Sequence, residues 1–275
     1  MRLEQRSAYI EMTIAALQVF SCSLFLVLMS QATFYFHAEL NDFLPPSRRG
    51  MPFVRTFVGR VSIKDMIESL GVPHTEVEAI VVGQSVEFAY LVQDGDQIAV
   101  YPASVLPPNL PLARLRPPIP AKPRFVLDTH LGQLATYLRM LGFDTLYHNN
   151  YSDEELALIS SEEGRILLTR DRGLLKRGIV TYGRYVRETD PQLQVAEVVR
   201  RYQLAAAIVP LRRCIRCNGL LHKIHKDQIG DRLAPKTREY YDEFSTCASC
   251  GQIYWKGSHY ERMRTFIEQV LTAER

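Results

Sequence analysis

Seven prolines fall within the seventeen residues 107–123, and no other stretch limits the fold as severely. Each proline fixes φ and removes an amide donor, so this run forms neither a helix nor a central strand and is expected to run extended as a stiff spacer. The chain therefore reads as folded segments on either side of a linker, with boundaries at 32–106, 107–123, 124–208 and 209–265. Its 275 residues, 47% hydrophobic and 23% charged, suffice for two or three compact units and lie outside the disordered and fibrous classes.

Residues 1–31 read as a leader or a spurious start. Ile14–Met29 is apolar except for Gln18, Ser21 and Ser23, and its sixteen residues fall short of the roughly 20 that span a bilayer. Arg2 and Arg6 before it and Ser30-Gln31-Ala32 after it fit a secretory signal peptide. The preferred reading is translation from Met29 in a cytoplasmic protein, because a strand begins almost at once with Thr33-Phe34-Tyr35-Phe36. No stable membrane association is expected.

From Ala32 to Pro102 the order is strand, strand, helix, then short strands. ATFYFHAEL and PFVRTFVG are rich in β-formers, Ser62 caps the helix SIKDMIESLG, and EAIVVG and QIAVYP follow. A helix across a small mixed sheet is the α+β β-grasp arrangement. This segment resembles the ubiquitin-like sulfur carriers of thiamine and molybdopterin synthesis, most closely in GDQIAVYP. Sulfur carriage needs a free Gly-Gly tail, which Pro102-Ala103-Ser104-Val105-Leu106-Pro107 does not provide, so a module that docks a protein partner is expected instead.

From Arg124 strands and helices alternate, as in an α/β unit with a parallel sheet. FVLD, DTLYH, RILLTRD and YGRYVRE read as strands. Leu131, Leu134, Ala135, Leu138 and Leu141 form one helical stripe, Ser152 caps SDEELALISSEEG, and Asp190-Pro191 opens the last helix. In such sheets ligands bind at the carboxyl ends of the strands. Asp128 ends the first strand and Asp171 the third, while Asp153 and Asp190 begin the second and last helices near the same edge. Acids gathered there repel one another unless a divalent cation neutralises them. Mg²⁺ or Mn²⁺ suits such oxygen ligands, and metal-assisted phosphodiester hydrolysis is the chemistry expected. Asp153 and Asp190 are equally well placed to act as helix-start acids, and Asp171 as a turn residue beside Arg170 and Arg172.

The stretch from Arg124 to Met263 resembles the mutator-seven C-terminal RNase family, a PIN-like nuclease fold fused to a zinc ribbon. The matching segments are FVLDTHLGQLATYLRMLGFDTLY, SDEELALISSEEGRILLTRDRGLL, RCIRCN and CASCGQIYWKGSHYERM. The upstream segment resembles the ubiquitin-like domain that often precedes this family in bacteria. The resemblance implies a PIN-type ribonuclease with metal-binding acids at Asp128, Asp153 and Asp171. PIN sites have four acids, and Asp190 is the candidate fourth.

Four of the five cysteines form two CxxC pairs, Cys214 with Cys217 and Cys247 with Cys250, while Cys22 stands alone. Two such knuckles present four thiolates, the tetrahedral set Zn²⁺ prefers, and a closed site of this kind folds a small segment rather than catalysing. His222 and His225 are expected to be surface residues rather than ligands. The formal net charge of +3 decides nothing by itself, but its distribution is uneven. Residues 33–103 hold nine acids against five Lys or Arg, whereas 211–263 hold ten Lys or Arg against six acids. Arg212, Arg213, Arg216, Lys223, Lys226, Arg232, Lys236 and Arg238 interleave with Tyr240, Tyr241, Tyr254 and Trp255, a pattern that suits single-stranded RNA. His259 and Tyr260 fall in the closing motif without a derivable role. The expected function is a divalent-metal-dependent ribonuclease whose zinc ribbon helps bind RNA; the alternative is a catalytically degenerate adaptor that binds RNA or the ribosome.

Overall fold

The structure, a computed structural model, describes residues 29–107, 111–257, 260–261 and 264–268. The leader before Met29, with Cys22, and His259 lie outside the described residues. The chain divides into two compact units, Met1–Met66 with Ala79–Ala113, and Ile67–Glu78 with Arg114–Arg275. No helix among the described residues is long and apolar enough to cross a membrane.

In the first unit β1 (Ser30–Phe36), β2 (Phe53–Phe57), β3 (Ala79–Val82), β4 (Gln84–Ser85) and β5 (Gln97–Tyr101) form one sheet in the order β2-β1-β5-β3-β4. β1 and β5 run parallel and the other pairs antiparallel, as in a β-grasp sheet. Phe34 and Phe36 alternate inward and are fully buried. The first strand stops earlier than its β-formers suggest. Ala38 takes a positive φ of 44°, and Ala38–Phe43 turns into a 3-10 helix that buries Leu40 and Phe43. Ser62 begins α1 (Ile63–Ser69) as expected: its Oγ accepts Asp65 N (3.1 Å) and donates to the Asp65 carboxylate (2.7 Å).

In the second unit β6 (Phe125–Leu127), β7 (Thr145–Tyr147), β8 (Ile166–Thr169) and β9 (Gly183–Tyr185) form an all-parallel sheet in the order β7-β6-β8-β9. Side-chain alternation divides its two faces. Phe125, Leu127, Ile166 and Leu168 pack with α2 (Gly132–Met140) and α5 (Pro191–Arg201). Val126 and Leu167 pack with α3 (Asp153–Glu163) and α4 (Arg172–Leu175). Each fully buried Leu on these faces is worth about 1.5–3 kcal/mol. Phe266 and Ile267 return to the α2 face, where Phe266 stacks on Tyr137 at 4.5 Å. The zinc-ribbon segment holds β10 (Leu221–Ile224), α6 (Pro235–Tyr240), β11 (Phe244–Cys247) and β12 (Ile253–Trp255), with its strands antiparallel in chain order. Its own core is small, built on Ile229, Phe244 and Ile253.

Ile67–Glu78 completes the edge of the parallel sheet beside β9. Glu76, fully buried, accepts Arg184 Nη1 (2.5 Å) and Tyr185 N (2.6 Å), with Arg187 Nη2 at 3.5 Å. Gly183 has little room: a Cβ there would lie 2.6 Å from Leu175 Cδ2 and 3.2 Å from Thr75 Cγ2. Removing one partner of a buried ion pair leaves the other charge desolvated. Glu76→Ala is therefore expected to cost about 3–5 kcal/mol, seen as a lower urea midpoint, with Glu76→Gln less affected. An unchanged midpoint in Glu76→Ala would show that the pair contributes nothing.

Candidate functional site

Each of the four parallel strands leads into one of the predicted acids at its carboxyl end. In spatial order these are Asp153 after β7, Asp128 after β6, Asp171 after β8 and Asp190 after β9. From β6 the chain moves to β7 on one side and then to β8 on the other, so the switch of direction lies between β6 and β8, where open α/β sheets bind ligands. Asp128 and Asp171 flank that crevice.

Thr169, fully buried at the end of β8, links the two. Its Oγ1 donates to Asp128 Oδ2 (2.6 Å) and accepts Asp171 N (2.9 Å). Asp128 is 7% exposed, and its Oδ1 also accepts Thr129 N (2.6 Å) and Thr129 Oγ1 (3.2 Å). Three donors leave one of its four acceptor positions open. Asp171 caps α4 through Oδ1, which accepts Gly173 N (2.6 Å) and Leu174 N (3.3 Å). Asp190 caps α5 in the same way. Carboxylate oxygens with unused acceptor positions are the donor type that Mg²⁺ or Mn²⁺ takes, so the donor chemistry of Asp128 and Asp171 suits a hard dication.

Asp153 is exposed at the first position of α3, behind the Ser152–Glu155 capping box. Among the described residues no group of three acids is placed to hold a metal ion, so the expected convergence of Asp128, Asp153 and Asp171, with Asp190 as a fourth, is not seen. Arg170 does not neutralise Asp128 or Asp171; its Nη1 serves the carbonyls of Val186, Arg187 and Glu188. Thr169 escaped the sequence reading. Its signal was faint, a hydroxyl in TRD where the strand is otherwise apolar.

The four predicted thiols do converge. Their sulfurs all lie within 4.8 Å, with Cys214–Cys250 at 3.6 Å and Cys217–Cys247 at 3.4 Å. Zn–S bonds of about 2.3 Å in a tetrahedron put sulfurs ~3.8 Å apart, so the set fits Zn²⁺, whereas a disulfide needs about 2.05 Å. The two knuckles share one backbone design: Asn218 N donates to Cys214 O and Gly251 N to Cys247 O, each at 2.9 Å. Asn218 and Gly251 both have positive φ, 68° and 69°, so Asn218 rather than Gly219 is the counterpart of Gly251. Gly219 is small for another reason, since a Cβ there would lie 2.8 Å from Cys247 Sγ. Tyr254 Oη lies 3.1 Å from Cys214 Sγ. His222 and His225 are exposed and outside the thiol group, as expected.

A buried polar junction fixes the first knuckle to the parallel sheet. Asn218 Oδ1 accepts Thr145 N (3.0 Å), and Asn218 Nδ2 donates to Asp144 Oδ1 (2.8 Å). Asp144 also receives Arg165 Nη1 (2.8 Å) and Arg213 Nη2 (3.1 Å). Burial alone would raise the Asp144 pKa, but hydrogen bonds from Arg165 and Asn218 and the charges of Arg165 and Arg213 together lower it. Arg139 Nη1 holds the Ile215 and Arg216 carbonyls, and its Nε holds Thr145 O. These contacts sit at the amino ends of β7 and β8, opposite the acidic rim.

The basic residues accordingly separate into two groups. Arg213 belongs to the junction, Arg232 Nη2 binds Gly251 O and Lys226 pairs with Asp242. Arg212, Arg216, Lys223, Lys236 and Arg238 form no ion pair among the described residues.

Residues 123–267 match the model of the family described as the Mut7-C RNAse domain, and residues 29–105 match that described as Mut7-C ubiquitin. No curated protein and no solved structure matches the chain.

Without metal the thiols differ in acidity. Burial, reinforced by neighbouring thiols, pushes Cys217 up to about 12. Cys247 is also raised by burial, but amide donors of Cys250 and Ser249 bring it down to about 7. Zinc binds thiolates, so its uptake at pH 7 must expel protons, and its affinity falls as pH drops. Calorimetry in buffers of different ionisation enthalpy should register net proton release. From pH 7 to pH 5 the affinity should fall by at least about a hundredfold, the minimum for one proton released over two units. A pH-independent affinity would be incompatible with a four-thiolate site.

Proposed function

The chain belongs to the Mut7-C RNAse domain family, whose match covers more than half of its length, and from that premise we propose that it is a divalent-metal-dependent ribonuclease. The zinc ribbon assists substrate binding and the ubiquitin-like domain engages a protein partner. The observation that supports the reading is that the Thr169 hydroxyl ties the Asp128 carboxylate to the Asp171 backbone amide at the switch point of the sheet. Both carboxylates have acceptor capacity left over, and both start from adjacent strands.

Asp128 and Asp171 are the residues that would hold Mg²⁺ or Mn²⁺, with Asp153 and Asp190 flanking them. A bound dication supplies Lewis acidity, polarising a phosphoryl oxygen and easing deprotonation of water. The chain's own contribution is positioning. The Thr169 hydroxyl fixes the Asp128 carboxylate, and the amides of Gly173 and Leu174 fix that of Asp171. Neither acid must reorganise when a cation arrives.

A second reading has its own support in the absence of a three-carboxylate group among the described residues. A degenerate adaptor would bind RNA or the ribosome without cutting it.

The readings separate on single-stranded RNA with Mn²⁺. The wild-type chain should release product, and Asp128→Asn and Asp171→Asn should reduce cleavage to background. Thr169→Val should weaken the activating metal by about 10–100-fold, as loss of a partner to a metal-ligating carboxylate does, with rate recovering at higher Mn²⁺. Undiminished cleavage by Asp128→Asn together with Asp171→Asn would remove the proposal, and binding without product would favour the adaptor.

A further inference from the structure

The ribbon carries a groove that neither the thiol site nor the acidic rim uses. Cross-strand register puts Lys223, Ser245 and Tyr254 in one row across β10, β11 and β12. Beside that row lies a cavity of about 1060 Å³, walled by Ile215 and Arg216 of the first knuckle and by Trp255. Trp255 is 39% exposed. Gly257 lets the indole approach the backbone, since a Cβ there would lie 2.7 Å from Trp255 Nε1.

Charge decides what suits the groove. Its acids are neutralised: Asp242 is held by Lys226 (2.7 Å) and Glu243 by Lys256 (2.6 Å). Arg216 and Lys223 form no ion pair among the described residues, although the charge of Lys223 also bears on Glu243, so the residual charge is positive. An apolar peptide would desolvate both cations without compensation. A polynucleotide supplies phosphates to the cations and a base to the indole. Only an unpaired strand offers a free base face, because a duplex keeps its bases stacked inside.

Position adds a second constraint. The first knuckle is bonded at the amino ends of β7 and β8, whereas Asp128 and Asp171 lie at the carboxyl ends of β6 and β8. A three-residue strand is about 10 Å long, so the knuckle that walls the groove is anchored about one strand length from the proposed cleavage site.

We propose that this groove is an exosite for single-stranded RNA, holding a stretch of the substrate remote from the bond that is cut. Arg216 and Lys223 contact phosphates and Trp255 stacks a base. The inference rests on the ribonuclease reading for its role, and it adds that the enzyme favours RNA long enough to reach both places.

Trp255 is the sole tryptophan of the chain, so its emission reports on this groove alone. The zinc-loaded full chain, without Mg²⁺ or Mn²⁺, should show saturable quenching by a uridine 20-mer and far less by a duplex of equal length. Anisotropy of a labelled 20-mer should show binding weakened about 5- to 150-fold in Trp255→Ala, the range expected for one stacked base, with Trp255→Phe recovering part of it. Arg216→Ala with Lys223→Ala should lower the salt slope by about 1.4, the value for two phosphate contacts on a single strand. With Mn²⁺ present, the ratio of kcat/KM for the 20-mer to that for a trinucleotide should fall in the same variants. Cleavage with no quenching, equal quenching by duplex, or an unchanged length ratio would overturn the exosite. Quenching by the 20-mer with no cleavage of any RNA would instead retire the ribonuclease reading and leave a single-strand binding groove.

Discussion

Asp144 is the contact on which the architecture of the second unit depends. One carboxylate accepts Arg165, Arg213 and Asn218, which come from the start of β8, the approach to the first knuckle and the knuckle itself. Arg165 reaches further, to the Phe125 carbonyl at the start of β6. Loss of the carboxylate would leave two guanidinium groups in a poorly solvated junction, a cost of several kcal/mol for a buried network. Among the described residues the ribbon's own core rests on three buried apolar side chains, so this junction carries much of what orients it. Asn218 takes part in both knuckle and junction, turning the first knuckle through its positive φ and bonding the start of β7.

The polarity of a parallel sheet then separates two kinds of chemistry. At the amino ends, backbone donors and carbonyls are matched with Arg139, Asp144 and Asn218, and the result is a closed, structural edge. At the carboxyl ends, β6 and β8 lead into short connections that start helices, and acids at helix starts are favoured by the orphan amides there. The same positions that suit a cap therefore gather negative charge along one rim. Cation binding at the rim and thiolate binding at the opposite edge need not compete, since oxygen and sulfur donors select different metals.

Much of this was legible from local signals. The CxxC spacing gave the thiol set, Asp190-Pro191 gave the start of α5, and the apolar stripe from Leu131 to Leu141 gave the helix over β6. Such features repeat over a few residues and have their cause within the segment. What remained hidden acts at long range. Asn218 and Thr145 are 73 residues apart, and Thr169 and Asp128 are 41 apart; no periodicity marks a hydrogen bond of that kind. The glycines that follow each CxxC pair show the same limit: Gly219 relieves a clash and Gly251 adopts positive φ, a role that Asn218 fills in the first knuckle.

A carboxylate that caps a helix and a carboxylate that binds a cation are often treated as alternatives, and the sequence sets them so for Asp153 and Asp190, whereas Asp171, read there as a metal ligand or a turn residue, is a cap as well. Geometry removes the opposition. In Asp171 and Asp190 Oδ1 takes the two amide donors of the helix start. The cap therefore freezes the side-chain torsion while leaving the second oxygen its acceptor positions. A capping acid is in this sense better prepared for a cation than a freely rotating one, because the rotational entropy is lost on folding rather than on binding. Asp128 reaches the same state through the hydroxyls of Thr129 and Thr169. Asp153 has no such restraint, because Ser152 and Glu155 perform the capping at its helix. Asp128, Asp171 and Asp190 are thus the restrained acids of the rim and Asp153 the unrestrained one.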